Sequence, residues 1–253
     1  MSQSLLRALD LLAQLAERPA TLDELASQVE VHKTTVMRLL HDLEDRRFVV
    51  RDAHQRYQLG SAFFRLSGQA LEQRDLRAVA RPHLAALNES TGHTIHLAAR
   101  EGSEVVYIDK FESHHPVRMY SRIGLTASQH SAAVAKVILA DLPQARRAAI
   151  AEGLDYVRAT ENTLDSPAAL LAELEVVARQ GWAHDDSEHE PLVHCIAAPI
   201  RGATGSVVAA ASISVPTMLL DTPGLLALVP ELQSTTEAIS FDLGYQPQKG
   251  SHP

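Results

Sequence analysis

The first 60 residues repeat their apolar positions with the period of an α-helix, in short segments that are followed by two β-rich runs. In the first segment, residues 4–17, Leu5, Leu9 and Leu12 recur at helical spacing, and Pro19 stops the pattern. Helices this short can bury their apolar sides only against one another. The pattern therefore predicts a small helical bundle at the start of the chain.

Two more helices complete this bundle. Thr21 and Glu24 have the spacing of a capping box, in which each residue caps the backbone of the other at the start of a helix. A third helix is predicted from about 33 to 46 after a short turn. Its predicted buried residues are Val36, Leu39, Leu40 and Leu43. The runs 48–51 and 56–59 then predict a β-hairpin.

The third predicted helix has a polar side opposite its apolar side. A helix that enters the major groove of DNA needs this arrangement, because it packs on its bundle and presents donors to bases and phosphates. The same pattern also fits a plain three-helix bundle with a solvated surface, but the hairpin that follows favours a winged helix-turn-helix. The candidate DNA-contacting residues are Lys33, Thr34, Thr35, Arg38, His41, Arg51 and Arg56.

The charge of the chain limits how it could bind DNA. The net charge is −8, while the segment 33–56 holds six basic and four acidic residues. So small a positive excess predicts weak binding by one copy and favours a homo-oligomer of at least two copies, which would double the contacts. Candidate dimer contacts are Leu5, Leu9, Leu12, Phe63, Phe64 and Leu66.

The second half changes from helices to a mixture of strands and helices. Strands are predicted at 94–100, 104–111, 117–124, 194–200 and 206–215. Helices are predicted at 130–142, from Ser166-Pro167 to Gly181, and after Thr222-Pro223, with a kink or break at Pro230. The prediction is an α+β chain: a winged helix-turn-helix domain at 1–60, a linker helix at 61–75, a second domain at 76–246 with a central antiparallel sheet, and a polar tail at 247–253.

The N-terminal segments TLDELA, KTTVMRLL, FVVRD and YQLG together resemble the isocitrate lyase regulator (IclR) family of bacterial transcription factors. The resemblance continues through DDSEHEPLVHCIAAPI and SISVP and covers nearly the whole chain. It implies a regulator that binds operator DNA as a dimer, often paired into a dimer of dimers, and a C-terminal effector domain of the profilin or GAF-like kind. His32 departs from the family, which often has Ser or Pro there, and this weakens the cap of the third helix.

A possible effector site follows from the second domain. A helix start rich in small residues, at 130–136, exposes backbone N–H groups that suit a carboxylate. Ser212 and Ser214 are two apart on one strand and face the same side, and Cys195 lies on the preceding strand. Without the resemblance, the residues alone favour the interpretation that Cys195 is an inert core residue and the serines only fill the strand. The resemblance implies that the pocket is lined by Met119, Ala133, Val134, Asp185, Val193, Cys195, Ser212 and Ser214.

The resemblance also suggests an effector. TIHLAA, VVYIDKFES and RATENTL are most similar to the KdgR-type subgroup, which regulates 2-keto-3-deoxygluconate metabolism. The implied effector is a sugar-derived 2-keto acid, with its hydroxyls near Asp185. Ala133 and Ala135 stand where the family commonly has Gly, and His194 replaces a common Arg.

Three alternative functions remain at this point. A metal-dependent enzyme could use the cluster His184, Asp185, Glu188, His189, His194 and Cys195, but no familiar ligand spacing occurs. A hydrolase could use Cys195 or Ser212, but no GxSxG motif is present. A sensor without DNA binding is the third. We assign no catalytic residue, metal or cofactor.

The low cysteine content and the lack of a long apolar run indicate the cellular compartment. The sequence has a single cysteine, which cannot form a disulfide within the chain and fits a reducing environment. No apolar run approaches the roughly 20 residues that span a bilayer. Arg7 and Asp10 interrupt the apolar start, unlike in a signal peptide. We expect a cytoplasmic protein that does not enter the membrane.

Overall fold

The computed structural model describes residues 3–29, 31–66, 75–116, 119 and 121–246. The chain forms two compact units, residues 1–74 and 75–253. Among the described residues, no helix is both long and apolar enough to cross a membrane. Each unit is described by itself below.

The N-terminal unit holds the three predicted helices and the predicted hairpin. They are α1 (Gln3–Glu17), α2 (Leu22–Gln28), α3 (Lys33–Asp45), β1 (Val49–Arg51) and β2 (Tyr57–Leu59). The capping box is present: the Thr21 hydroxyl accepts from the Glu24 N–H at 3.3 Å, and the Thr21 N–H donates to Glu24 Oε2 at 2.7 Å. His32 begins α3 without a side-chain cap, as its sequence indicated.

The apolar sides of these elements form one core. Leu11, Leu25, Val36 and Leu40 are fully buried in it. Tyr57 also packs there, and its backbone exchanges hydrogen bonds of 3.0 and 2.8 Å with Ala20, which fastens the hairpin to the helices. The hairpin is therefore part of the same module as the helices.

The end of the hairpin requires a glycine. A Cβ atom at Gly60 would collide with the backbone carbonyl of Arg47, so only glycine permits the close approach of these two segments. The Gly60 N–H donates to the Phe48 carbonyl at 2.8 Å. This explains the glycine of the YQLG motif in physical terms.

Most of the predicted linker helix, 61–75, lies outside the described residues. Residues 62–66 are helical, and 67–74 are not described. The predicted tail, 247–253, also lies outside them. The predicted limits of the linker and the tail therefore stay predictions.

The C-terminal unit contains the predicted helices and four of the five predicted strands. It also has three segments that the sequence analysis did not predict, which are helices at 76–91 and 144–152 and a strand at 183–185. The helices are α4 (Leu76–Thr91), α5 (Ala133–Ala140), α6 (Gln144–Glu152), α7 (Pro167–Gln180), α8 (Thr222–Leu226) and α9 (Val229–Asp242). The strands are β3 (Thr94–Glu101), β4 (Glu104–Phe111), β5 (Ala183–Asp185), β6 (Val193–Arg201) and β7 (Val207–Pro216). They form one antiparallel sheet in the order β4-β3-β7-β6-β5, as the α+β prediction required.

The two faces of this sheet carry different layers. On one face, Ile95, Ile196 and Ile213 pack with Leu84 of α4 and Ile239 of α9. On the other face, the small side chains of Ala98, Ala197 and Ala210 pack against α5 and α7. Because neighbouring residues of a strand point to opposite faces, each strand contributes to both layers.

The predicted helix boundaries of this unit hold where strong local signals mark them. Ser166 caps α7, Pro167 is in its first turn, and Gly181 ends it with φ 77°. Pro230 lies in the first turn of α9, so the C-terminal region is split into two helices there.

One predicted strand, 117–124, is wrong where the structure can test it. Residues 119 and 121–124 form no strand, and residues 117, 118 and 120 lie outside the described part. Gly124 has φ 88° in a turn. Backbone contact with β4 begins only there: residues 124–127 make three hydrogen bonds to it and one bridge, between Val106 and Thr126.

Candidate functional site

A cavity of about 170 Å³ opens between the sheet and the start of α5. This is room for a small organic molecule and not only for a single water. All eight residues predicted to line the effector pocket line this cavity. They are Met119, Ala133, Val134, Asp185, Val193, Cys195, Ser212 and Ser214.

Strand register brings the polar residues of the cavity together. Asp185 is paired with Cys195, and Cys195 with Ser214, so these three form a row across β5, β6 and β7. Ser212 lies two residues from Ser214 and is paired with His96 of β3. Paired residues in an antiparallel sheet point to the same face, which here is the face covered by α5.

The start of α5 contributes backbone donors. Ala132 precedes the helix and provides no side-chain cap. Among the described residues, the N–H groups of Ala133 and Val134 have no hydrogen-bond partner, whereas those of Ala135 and Lys136 both donate to the Ala132 carbonyl. Two free donors at the positive end of a helix dipole favour an anion.

Sequence reasoning missed half of the lining. Its other members are His96, Tyr107, Ser121, Leu125, Thr126, Ala132, His189 and Glu190. His96 was detectable, since it is the polar member of the strand segment 95–98, which is otherwise apolar. Ser121 and His189 lie on irregular segments, where no helical or strand periodicity indicates which way a side chain points.

His96 organises the floor of the cavity as a neutral ring. Its Nε2 lies 2.6 Å from Ser121 Oγ, and its Nδ1 lies 3.2 Å from Ser214 Oγ and 3.5 Å from Ser212 Oγ. Burial, with a smaller contribution from the Lys110 charge, lowers the pKa of His96 to about 3. A ring that stays uncharged can hold the hydroxyls of these three serines in place at neutral pH.

Two acidic groups of the cavity have raised pKa values. Burial raises the pKa of Asp185 to about 7, although Asp185 Oδ1 accepts from the N–H groups of Glu188 at 2.7 Å and His189 at 3.3 Å. Burial also raises the pKa of the Cys195 thiol well above its usual range. A protonated thiol is a poor nucleophile, which argues against the hydrolase alternative.

Lys110 holds the segment that covers the cavity. Its Nζ donates to the carbonyls of Met119 at 3.1 Å and Ser121 at 2.7 Å. Met119 and Ser121 are thereby kept over the cavity although they belong to no strand.

The predicted DNA-contacting residues of α3 differ in their exposure to solvent. Lys33, Thr34, Arg38 and His41 are exposed on α3, and Thr35 is half-buried. Lys33 Nζ lies 2.6 Å from Asp23, and His41 Nε2 lies 3.7 Å from Asp45. Within the described part of the chain, the Arg38 guanidinium has no hydrogen bond or ion pair, so it is available to an external acceptor.

The two hairpin arginines are already engaged within the unit. Arg51 lies 3.1 Å from Glu44 and stacks over the Tyr57 ring at 5.1 Å. Arg56 Nη2 donates to the Pro19 carbonyl at 2.6 Å and lies 3.6 Å from Glu24. These side chains hold the hairpin to the helices, a role that the sequence did not indicate.

Comparison with known proteins identifies the family. Residues 68–241 match the family described as the bacterial transcriptional regulator IclR C-terminal domain. The chain belongs to the IclR family. The HVO_A0261 N-terminal domain matches residues 3–62.

A relative of nearly full length is the HTH-type transcriptional regulator KdgR of Escherichia coli, 36% identical over 96% of this chain and 93% of that protein. The regulator XynR of the same organism is 33% identical over 96% and 98%.

Solved structures of the family have the same fold. The Agrobacterium tumefaciens repressor BlcR matches with a TM-score of 0.82 at 27% identity, covering 96% of this chain and 98% of that one. The C-terminal domain of E. coli KdgR matches with a TM-score of 0.62 at 35% identity, covering 68% of this chain and 100% of that one.

Membership in this family decides between the alternatives that the sequence left open. The chain is a DNA-binding transcriptional regulator with a C-terminal effector-binding domain, and its relatives are regulators and not enzymes. Family members bind operator DNA and small-molecule effectors. The metal-dependent enzyme, the hydrolase and the sensor without DNA binding are therefore set aside.

Proposed function

We propose that this regulator is a repressor of an operon for the breakdown of a sugar acid, and that a small 2-keto acid such as 2-keto-3-deoxygluconate releases it from DNA. The observation that carries this proposal is the pair of free N–H groups at Ala133 and Val134, which face a cavity otherwise rich in hydroxyl groups. The similarity to KdgR over nearly the full chain supports it.

The carboxylate of the effector binds at the start of α5. There, two backbone donors and the helix dipole favour a negative charge without any buried cation facing it. Lys136 of the same helix is not free for this role, because its Nζ donates to Glu188 at 2.5 Å and to the His184 carbonyl at 2.9 Å.

The other end of the effector lies along the row of Asp185, Cys195 and Ser214. Hydroxyl groups of a sugar acid can donate to Asp185 and exchange hydrogen bonds with Ser212 and Ser214. A compound without these hydroxyls leaves the buried polar groups unpaired, which is how the pocket distinguishes sugar acids from simple acids.

Operator binding uses two copies of the N-terminal unit. Arg38 on α3 forms a bidentate contact to a guanine, and Lys33, Thr34, Thr35 and His41 surround it. We propose a homodimer, which can pair into a tetramer, because two-fold operators need two recognition helices. Leu5, Leu9 and Phe64, which are 55%, 53% and 82% exposed, are candidate contacts. A regulator of this kind acts in the cytoplasm.

A thermal-shift screen against sugar acids and small 2-keto acids tests the effector. A ligand at 100 times its dissociation constant stabilises the protein by about 2.7 kcal/mol. We expect a shift with 2-keto sugar acids and none with the corresponding neutral sugars, which lack the carboxylate. An equal shift with the neutral sugars would contradict the proposed role of α5.

Release from DNA tests the pocket. The double variant Ser212→Ala, Ser214→Ala is expected to bind the operator normally and to lose its response to the effector, measured by fluorescence anisotropy of labelled DNA. The matched control is Ser206→Ala with Ser234→Ala, which alters two exposed serines of the same domain outside the cavity. If the pocket variant still releases DNA at the same effector concentration, the effector binds elsewhere.

A further inference from the structure

On the face of the sheet opposite the cavity, three potential metal ligands meet where β5 ends and β6 begins. The ligand atoms of His184, Asp186 and His194 all lie within 4.8 Å of one another. His184 and Asp186 are two residues apart and therefore share a side, while Asp185 between them faces the cavity. Continuing the register of β5 and β6 by one position places Asp186 opposite His194.

Both imidazole rings of this group lack partners. Within the described part of the chain, neither ring nitrogen of His194 makes a hydrogen bond of normal geometry, and the same holds for His184 Nε2. His194 is fully buried, so its nitrogens have no water to replace a protein partner. A buried polar group without a partner costs about 1–3 kcal/mol and requires an explanation.

We propose that His184, Asp186 and His194 bind one divalent transition-metal ion, with Zn²⁺ as the best fit. Two imidazole nitrogens and one carboxylate oxygen form a set that suits Zn²⁺, with a water molecule as the fourth ligand. Zinc bonds to nitrogen and oxygen are roughly 2.0–2.2 Å long, which places tetrahedral ligand atoms ~3.4 Å apart. Rotation of the exposed Asp186 side chain closes much of the remaining distance.

The surroundings of the site are compatible with a cation. Lys136 approaches the His184 carbonyl, but Glu188 and Glu173 lie 2.5 and 3.4 Å from its Nζ and balance its charge.

The position of the site gives the metal a structural role. Asp186 begins the loop from β5 to β6, and this loop also carries His189 and Glu190 of the cavity lining. A metal bound between the ends of the two strands ties the start of the loop to His194. The donors are behind the effector pocket and not in it, so the inference is independent of the proposed effector.

Calorimetry on the full-length chain tests this proposal. Protein freed of any affinity tag is treated with EDTA, dialysed and titrated with ZnCl₂ at pH 7.5. We expect one Zn²⁺ per chain, a rise in the melting temperature, and no comparable binding of Mg²⁺, which prefers oxygen ligands. Co²⁺ should give the visible absorption bands of a low-coordinate nitrogen and oxygen site.

Single substitutions locate the metal. His184→Gln and Asp186→Asn are each expected to weaken Zn²⁺ binding at least tenfold, and Asp186 is exposed, so its variant keeps the fold. The matched control is His189→Gln, a histidine of the same loop that faces the cavity. The proposal is overturned if the wild type binds no stoichiometric Zn²⁺, if Mg²⁺ binds equally well, if both variants bind like the wild type, or if His189→Gln alone loses binding.

Discussion

The two units treat their polar side chains in opposite ways. In the described part of the N-terminal unit, no polar or charged side chain is buried, and the residues proposed to contact DNA lie on the surface of one helix and one hairpin. The C-terminal unit buries the charged or ionisable side chains of Lys136, Asp185, Glu188, His96 and His194, together with Ser212 and Ser214.

This difference follows from what each unit must bind. A protein contacts the phosphates and base edges of DNA with side chains on its surface, and long charged side chains there remain hydrated in the absence of DNA. A small ligand offers few contacts, so its site must be desolvated and held in position beforehand. As a consequence, the C-terminal unit contains buried ionisable groups, and each of them needs a hydrogen-bond or ion-pair partner.

The largest expected effect concerns stability. Lys136→Met removes the cation between Glu188 and Glu173 and leaves their carboxylates without it, so the free energy of unfolding should fall by about 3–5 kcal/mol. Urea unfolding of the C-terminal unit can be followed by the fluorescence of Trp182, the only tryptophan.

The matched control for this variant is Lys33→Met in the N-terminal unit. Lys33 lies 2.6 Å from Asp23, but both side chains are largely exposed, so the loss should stay below ~1 kcal/mol by circular dichroism. Equal losses from the two substitutions would remove the contrast between the units.

The next effect concerns recognition of DNA. Arg38→Ala should weaken operator binding by about 1–3 kcal/mol and relax the preference for a guanine, since its guanidinium has no partner in the described part of the chain. Fluorescence anisotropy with the operator and with a sequence altered at that guanine measures both changes. Unchanged operator affinity would show that α3 reads DNA through other residues.

The third prediction is a pH dependence of effector binding. The pKa of Asp185 is about 7, and effector hydroxyl groups that donate to this carboxylate favour its ionised form. Effector affinity should therefore be low below pH 7 and rise about tenfold as the pH increases from 6 to 8, which is ~1.4 kcal/mol.

Asp185→Asn is the test of that assignment. An amide does not titrate, so calorimetry on this variant should give an affinity that is nearly constant between pH 6 and 8. His96 does not complicate this range, since its pKa of about 3 keeps it neutral throughout. A pH dependence that persists in the variant would assign the titration to another group.

The smallest effect is expected at the hairpin. Arg56→Ala should weaken binding to operator and random DNA alike by less than ~1 kcal/mol and reduce the salt dependence, because Arg56 is partly engaged with Pro19 and Glu24. Titrations at several salt concentrations measure the slope. A loss confined to the operator would mean that Arg56 contacts bases and not phosphates.

The parts of the fold that the sequence predicted correctly are those with local signals. The capping box at Thr21, the Ser166-Pro167 start and the Gly181 end of α7 each act within a few residues, and the structure has all of them. The sequence at 117–124 has apolar residues and a closing glycine, but its described residues form no strand, and its described backbone bonds to β4 only at Gly124. A strand needs a partner, which no local pattern can guarantee.

The sequence by itself determined the local features from which the sites are built. They are a helix with an exposed polar side, a helix start with small residues, and two serines on one face of a strand. Only the tertiary structure decided which distant residues join them, because strand register and loop paths depend on packing across the whole unit. Thus the eight predicted pocket residues share one cavity, while Ser121 and His189 enter it from irregular segments. The same register that turns Asp185 and Cys195 inward turns His184 and His194 to the opposite face, where the proposed metal site lies.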